Sequence, residues 1–357
     1  MYRRQTHTRQ AAVMIVALLA ALLFQWIAGY AKTITPQNAA ALALYWQTGV
    51  RPITQDSTAD TESPAEETTP AADPTAEADD EPLDTDKPAA ATESALQAVT
   101  TPAPVPLTFT DQEASAITVS GTCSYSFDKA SLLQQPVSAD FSADGPLVLI
   151  VHTHTTESYT PESGQSYEEL LHARTLDEAY NMVRVGRQIA SVLESNGIGV
   201  IHETTINDYP SYNGSYDRMK TIIEENLAKY PTIQMVLDVH RDAAADASGN
   251  PLPRVTAFDD GDYAQHRLVV GTDEGGLYHP NWQQNLSTAL QLQALLERSY
   301  PGLCRDLNLR RERFNQNQTP CSLLVEFGTD GNTLTQALRS AGAFGQALSE
   351  LILSAQT

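Results

Sequence analysis

The chain has 357 residues and a formal net charge of −22, with 22 Lys and Arg against 44 Asp and Glu. That length permits two domains or one domain with a long appendage, and the absence of any basic stripe that could neutralise phosphates argues against nucleic acid as a partner. Three cysteines, Cys123, Cys304 and Cys321, are too few and too spread for a disulfide framework or a CxxC zinc site. Cys304 and Cys321 are a candidate pair in an exported domain, with three free thiols as the alternative.

Residues 1–10 carry Arg3, Arg4 and Arg9 and no acid, a basic tail that faces the cytoplasm under the positive-inside rule. Residues 11–31 follow without a charge, long enough to span a hydrocarbon core, with Trp26 and Tyr30 suited to the outer interface. The segment is read as a retained single-pass anchor; the competing reading is a signal peptide cleaved after Ala31. Either way the rest of the chain is extracytoplasmic. Residues 32–52 form a juxtamembrane segment. Residues 53–106 are a Pro-rich acidic stretch, with thirteen acidic residues against one Lys between Gln55 and Leu96. Such a composition buries too little apolar surface to offset ordering entropy, so it reads as a disordered tether.

Residues 107–144 show short β-like pieces at 107–110 and 117–120. Residues 145–357 then alternate apolar strands with amphipathic helices. Strands are expected at 147–151, 198–202, 233–240, 254–258, 267–270 and 322–327, and helices at 176–194, 217–229, 283–298 and 333–353, the last capped by Asn332. Asn196-Gly197 stops the first of these helices. The alternation predicts an α/β domain with a doubly wound, mainly parallel sheet flanked by helices.

Three of the strands lead into chemistry. The first runs into His152-Thr-His154-Thr-Thr-Glu157, the second ends in Asp238-Val-His240, and the third in Val325-Glu326. Two neutral imidazoles and one carboxylate, with a fourth position open to water, make a catalytic zinc site. A further carboxylate off the metal is needed to take the proton of the attacking water, and Glu326 is the candidate. Asp238, two residues before His240 and hence on the same strand face, is the candidate acceptor for the other imidazole N–H. The metal set is His154, Glu157 and His240, with His152 a rival for the first histidine and Glu178 for the carboxylate. Glu178 has a competing role, since Thr175-Leu-Asp-Glu178 reads as a capping box for the following helix. Arg241 and Asp242 are candidates for a substrate carboxylate or for a loop ion pair. Trp282 and Asn285 are candidates for lining a groove or for starting a helix.

The runs His152–Tyr159 and Asp238–Ala243, with Val185-Gly186, Val269-Val-Gly271, His279-Pro-Asn-Trp282, Asn285, Tyr300-Pro-Gly-Leu303, Asn315-Gln316 and Leu324-Val-Glu326, resemble the stage II sporulation protein P family over residues 145–345, in the same order. The resemblance implies the fold of zinc-dependent N-acetylmuramoyl-L-alanine amidases and a peptidoglycan hydrolase that removes stem peptides and also cuts cross-links during engulfment. It implies a septal membrane location and the stage II sporulation proteins D and M as partners. It also implies metal ligands among His152, His154, Glu157 and His240, a catalytic Glu326 and a substrate contact at Asn315. Alignment with the related amidases puts the acidic ligand near Glu178; the His-x-x-Glu spacing, as in zinc carboxypeptidases of similar fold, favours Glu157. Phe314 departs from the Tyr expected before Asn315-Gln316. The alternatives are a zinc peptidase acting on stem peptides alone and a silent wall-binding scaffold.

Overall fold

The continuous apolar run 147–151 becomes β2 (Pro146–Val151), whose last five residues are all buried. A strand buried on both faces belongs in the middle of a parallel sheet covered by helices, and β2 lies between β3 (Gly199–His202) and β4 (Met235–Asp242), parallel to both. On the far side of β4 runs β9 (Leu323–Thr329), also parallel. β7 (His266–Gly271) joins β9 antiparallel, and β8 (Leu307–Arg310) and β1 (Val119–Gly121) extend the sheet in parallel from β7. The order is therefore β1-β8-β7-β9-β4-β2-β3, a mostly parallel seven-stranded sheet. A separate hairpin pairs β5 (Val255–Phe258) with β6 (Gly261–Ala264).

The computed structural model describes residues 107–170 and 173–356. The expected basic tail, membrane segment, juxtamembrane piece and acidic tether all fall outside the described residues. Among the described residues no helix is long and apolar enough to cross a membrane.

The two sheet faces are covered differently. Val148 and Ile150 of β2, Leu237 and Val239 of β4, and Leu323, Val325 and Phe327 of β9 enter the largest core. They meet α3 (Met182–Ser195), α5 (Trp282–Ser299) and α6 (Leu334–Ser354) there. Leu149, Val151 and Val236 enter a smaller core on the opposite face, against Met219 and Ile223 of α4 (Ser215–Lys229). Alternate strand residues point to opposite faces, so Asp238 and His240 take the α4 face with Val236, and Glu326 opposes Val325 and Phe327. The chemistry sits on the sheet face that carries the lesser helical cover.

Several expected elements shift. α3 starts at Met182 rather than near residue 176, because the Asn181 side chain accepts the Val183 amide. Thr175 Oγ1 and Asp177 Oδ1 instead cap a turn ahead of it. No capping box forms at Thr175–Glu178. α6 is capped by Thr333 in a box with Gln336; Asn332 is occupied elsewhere, its Oδ1 accepting the amides of Thr329 and Arg254. The piece at 107–110 is no strand: Thr110 caps α1 (Asp111–Ala116). A second short helix, α2 (Lys129–Leu133), also precedes β2. All three cysteines are free, and Cys304 and Cys321 do not pair. Cys304 Sγ faces His266 Nε2 at 3.3 Å, whereas Cys321 Sγ faces Thr288 Oγ1 at 3.5 Å.

Candidate active site

The loop leaving β2 is buried from His152 through Tyr159. It is sewn to β4 through Asp238, which accepts the Thr153 amide at 2.9 Å and the Thr153 hydroxyl at 2.6 Å. This turns His154 and Glu157 towards His240. The rings of His154 and His240 meet edge to face with centroids 5.2 Å apart, and His240 Nδ1 lies 3.6 Å from Glu157 Oε2. The other nitrogen of His240, Nε2, is 2.9 Å from Asp238 Oδ1 but out of line for a good hydrogen bond. His154 has one nitrogen engaged, Nε2 at 3.1 Å from the Tyr212 hydroxyl. Its Nδ1 is buried with no hydrogen-bond partner, 3.9 Å from Asp208 Oδ2.

Charge in this cluster is strongly polarised. Burial alone would drive the proton off His240, but Asp238 and Glu157 outweigh it and raise the imidazole to about 10. Burial would likewise raise Glu157; His240, Arg241 and Arg174 overcome it and hold the carboxyl far below the usual range. His154 goes the other way, lowered to about 4, because burial outweighs its acidic neighbours. The surroundings thus favour a neutral imidazole at His154, beside a carboxylate, and a charged one at His240, between two acids.

Glu326 is the register partner of His240 on the adjacent parallel strand, so the two side chains share a face. Its Oε2 is buried without a hydrogen bond, 4.0 Å from Arg267 Nη1. Burial and then the negative charge of Asp242 raise this carboxyl to about 7, against the opposing pull of Arg267. Both β4 and β9 continue beyond these residues, to Asp242 and Thr329. His240 and Glu326 therefore sit on the sheet face short of the strand ends, while His154 and Glu157 lie past the end of β2, as the sequence pattern had them.

The rivals lie elsewhere. His152 keeps the parity of Val148 and Ile150 and points to the opposite face, with Nδ1 3.1 Å from the Val239 carbonyl oxygen and Nε2 2.9 Å from His202 Nε2. Glu178 is half exposed and pairs with Arg187 at 3.4 Å. Among the proposed substrate contacts, Arg241 is buried and spent on the carbonyls of Ser158, Ala173 and Asp242. Asp242 pairs with Arg305 at 2.8 Å and Arg267 at 3.4 Å, beside Glu326. Trp282 packs on Tyr125, and Asn285 is buried, bonding the Gln316 carbonyl and the Ser322 amide. Asn315 borders a cavity of about 480 Å³ shared with Tyr216, Leu277, Arg313 and Phe314. Tyr216 joins that cavity to the cluster, its ring 5.7 Å from His154 and 5.8 Å from Phe314.

Four neighbours of the cluster have no motif in the sequence. Arg174 bonds Glu157 at 3.3 Å and also Asp208, which accepts the amide and hydroxyl of Thr156. Tyr212 and Tyr216 flank His154. All four come from polar connecting segments or a first helical turn, where no hydrophobic periodicity marks a position; Asn207-Asp208, Pro210 and Asn213-Gly214 within 204–214 signal a turn and no chemistry.

The donor types are those of a zinc site: two imidazoles and a carboxylate, with His154 Nδ1 buried without a hydrogen-bond partner and the second nitrogen of each ring beside an oxygen. Among the described residues no three His, Cys, Asp or Glu side chains are arranged as a group that could hold a metal ion as they stand. A metal bound here would have to displace the proton that Asp238 and Glu157 favour on His240.

Comparison with known proteins follows the same lines. A curated relative, stage II sporulation protein P of Bacillus subtilis (strain 168), is 30% identical over 229 residues, covering 60% of this chain. The match covers 53% of that relative, so the chain spans about half its length. Among solved structures, the N-acetylmuramoyl-L-alanine amidase AmiC2 of Nostoc punctiforme is similar at 15% identity, covering 59% of this chain and 97% of that one, with a TM-score of 0.34. The apo amidase Ami1 of Mycobacterium abscessus is similar at 13% identity, 60% and 100% coverage and a TM-score of 0.36. The CwlD amidase of Clostridioides difficile, solved in complex with the GerS lipoprotein, matches at 14% identity, 57% and 98% coverage and a TM-score of 0.34. The profile described as Stage II sporulation protein P (SpoIIP) matches residues 43–349, and the chain belongs to that family.

Proposed function

We propose that the chain is a sporulation peptidoglycan hydrolase, a zinc-dependent N-acetylmuramoyl-L-alanine amidase with His154, Glu157 and His240 as metal ligands and Glu326 as general base. The observation that carries this reading is the shared face of His240 and Glu326: a buried carboxyl near neutral pKa, with an unpartnered oxygen, stands one strand away from the His–Glu–His cluster. Family membership supports the wall as substrate. Bound at this cluster, zinc would supply a Lewis acid for the scissile carbonyl and acidify a water.

The protein's own groups do the rest. Asp238, 2.9 Å from His240 Nε2, favours the charge on that ring, and Arg174 with the Arg241 amide keeps Glu157 ionised and fixed. Glu326 takes one proton from the attacking water and returns it to the departing amine, so the amide C–N bond breaks as the new C–O bond forms. A raised carboxyl suits both halves of that exchange. Cutting of peptide cross-links by the same site, a membrane tether through residues 11–31, and action with stage II sporulation proteins D and M are parts of this proposal.

The test uses the full chain in detergent on purified peptidoglycan, with zinc content measured on the same samples. Wild type should hold about one zinc per chain and free stem peptides. His240→Ala should lose metal and activity together. Wild type that binds wall material but neither retains zinc nor releases peptide would overturn the amidase reading in favour of a scaffold.

A further inference from the structure

Tyr212 sits over the first histidine of the cluster in two ways at once. Its ring lies nearly parallel to the His154 imidazole, with centroids 4.5 Å apart and planes 10° from each other. Its hydroxyl is 3.1 Å from Nε2 of the same imidazole. The consequence falls on the other nitrogen. A neutral imidazole carries one N–H; at Nδ1 the nearest acceptor, Asp208 Oδ2, is 3.9 Å away and beyond hydrogen-bond reach, whereas at Nε2 the phenolic oxygen can accept, so the N–H is best satisfied on Nε2 and the lone pair falls on Nδ1. Nδ1 is the buried atom that has no hydrogen-bond partner.

The segment carrying Tyr212 is built to hold that pose. Arg218 binds the carbonyls of Asn207, Ser211 and Asn213 from below. Asn207 ties the segment to the Thr153 and Ser215 carbonyls, and Asp208 ties it to Thr156. Arg174 completes the clip, its guanidinium 5.1 Å from the Tyr212 ring centre while it bonds Glu157. The same arginine therefore steadies the side chain that orients His154 and the carboxylate beside it.

We infer that Tyr212 is a positioning residue that fixes His154 as the Nε2–H tautomer and so presents Nδ1 as a metal donor, the phenolic counterpart of Asp238 at His240. The inference rests on the metal-site reading given above. A group that hydrogen-bonds the far nitrogen of a metal-bound histidine sets ring orientation and basicity, and its loss costs about 10- to 100-fold in metal affinity.

The test is Tyr212→Phe in the full chain, which keeps the ring stack and removes the oxygen. Zinc affinity is measured by chelator competition, and the tautomer of His154 by imidazole 15N shifts in the metal-free protein. The expected result is zinc bound about 10- to 100-fold more weakly, with His154 changing from one tautomer to a mixture while thermal stability is little altered. Unchanged affinity and an unchanged tautomer would overturn the inference, and loss of turnover on top of that would make Tyr212 a substrate contact. A wild type that takes up no zinc would instead sink the metal reading; the tautomer measurement, made without metal, still decides what Tyr212 does to His154.

Discussion

His240 and Glu326 are neighbours by register: β4 and β9 run parallel, and these two residues occupy paired positions on the face opposite the main core. In the proposed mechanism one strand supplies a ligand and the next a base, at a separation fixed by backbone hydrogen bonds rather than by loop conformation. Glu326→Gln keeps the shape and removes the proton acceptor. Metal content should stay at the wild-type level while turnover falls about 10²- to 10⁴-fold. Parallel loss of zinc in this variant would make Glu326 a ligand instead.

The charge beside Glu326 gives a pH prediction. A general base works ionised, so activity rises as pH passes its pKa. Burial raises Glu326 first and the Asp242 carboxylate adds to it, while Arg267 and Arg305 oppose. Asp242→Asn removes the repulsion and frees both arginines to act on Glu326, so its pKa falls. The rising limb of the pH profile of kcat/KM should move to lower pH than in wild type. A limb that stays in place or moves up would show that another group sets it.

His152 and His154 are adjacent in pattern and point to opposite sheet faces, so the proposed mechanism makes His152 a structural histidine and His154 a ligand. His152→Ala should leave zinc affinity near wild type while lowering stability, because the ring fills space between Val239 and His202. Gly186→Ala probes the same spot from α3: a Cβ there would come within 2.6 Å of both His152 Nε2 and His202 Nε2. Overpacking of this kind costs about 1–3 kcal/mol, readable as a lowered denaturation midpoint with metal binding retained.

These contrasts mark how far the sequence could be read. The apolar runs at 147–151 and 233–240, with their His and Glu, gave away the central strands and the cluster, since a buried parallel strand leaves a composition signal that needs no context. The choice between Glu157 and Glu178 was not legible, because each spacing has a good local rationale. It turns on where α3 begins, and Asn181 decides that through a single side-chain cap. β8 escaped notice since Leu307-Asn-Leu-Arg310 is four residues with only two apolar positions. Arg174, Asp208 and Tyr212 were invisible for a different reason: their meaning comes wholly from long-range contacts made by polar loops.

His266 packs into the main core, on the other face of the sheet from this chemistry, and predicts how the metal-free fold responds to acid. It is fully buried between Phe327 and Phe344, with Ser340 Oγ 3.2 Å from Nδ1 and Cys304 Sγ 3.3 Å from Nε2, and burial lowers it to about 3. An unfolded histidine titrates near 6.5, so between these two values the unfolded chain binds a proton that the folded chain refuses. Stability from this group is complete above about pH 6.5 and falls by about 1.4 kcal/mol per pH unit as pH drops towards 3. Between pH 7.5 and 5 the loss is about 2 kcal/mol. His266→Gln, which retains a donor and an acceptor without a titrating ring, should flatten the denaturation curve over that range in the presence of chelator. Equal slopes for the two proteins would mean that His266 protonates in place and that its burial imposes no acid penalty.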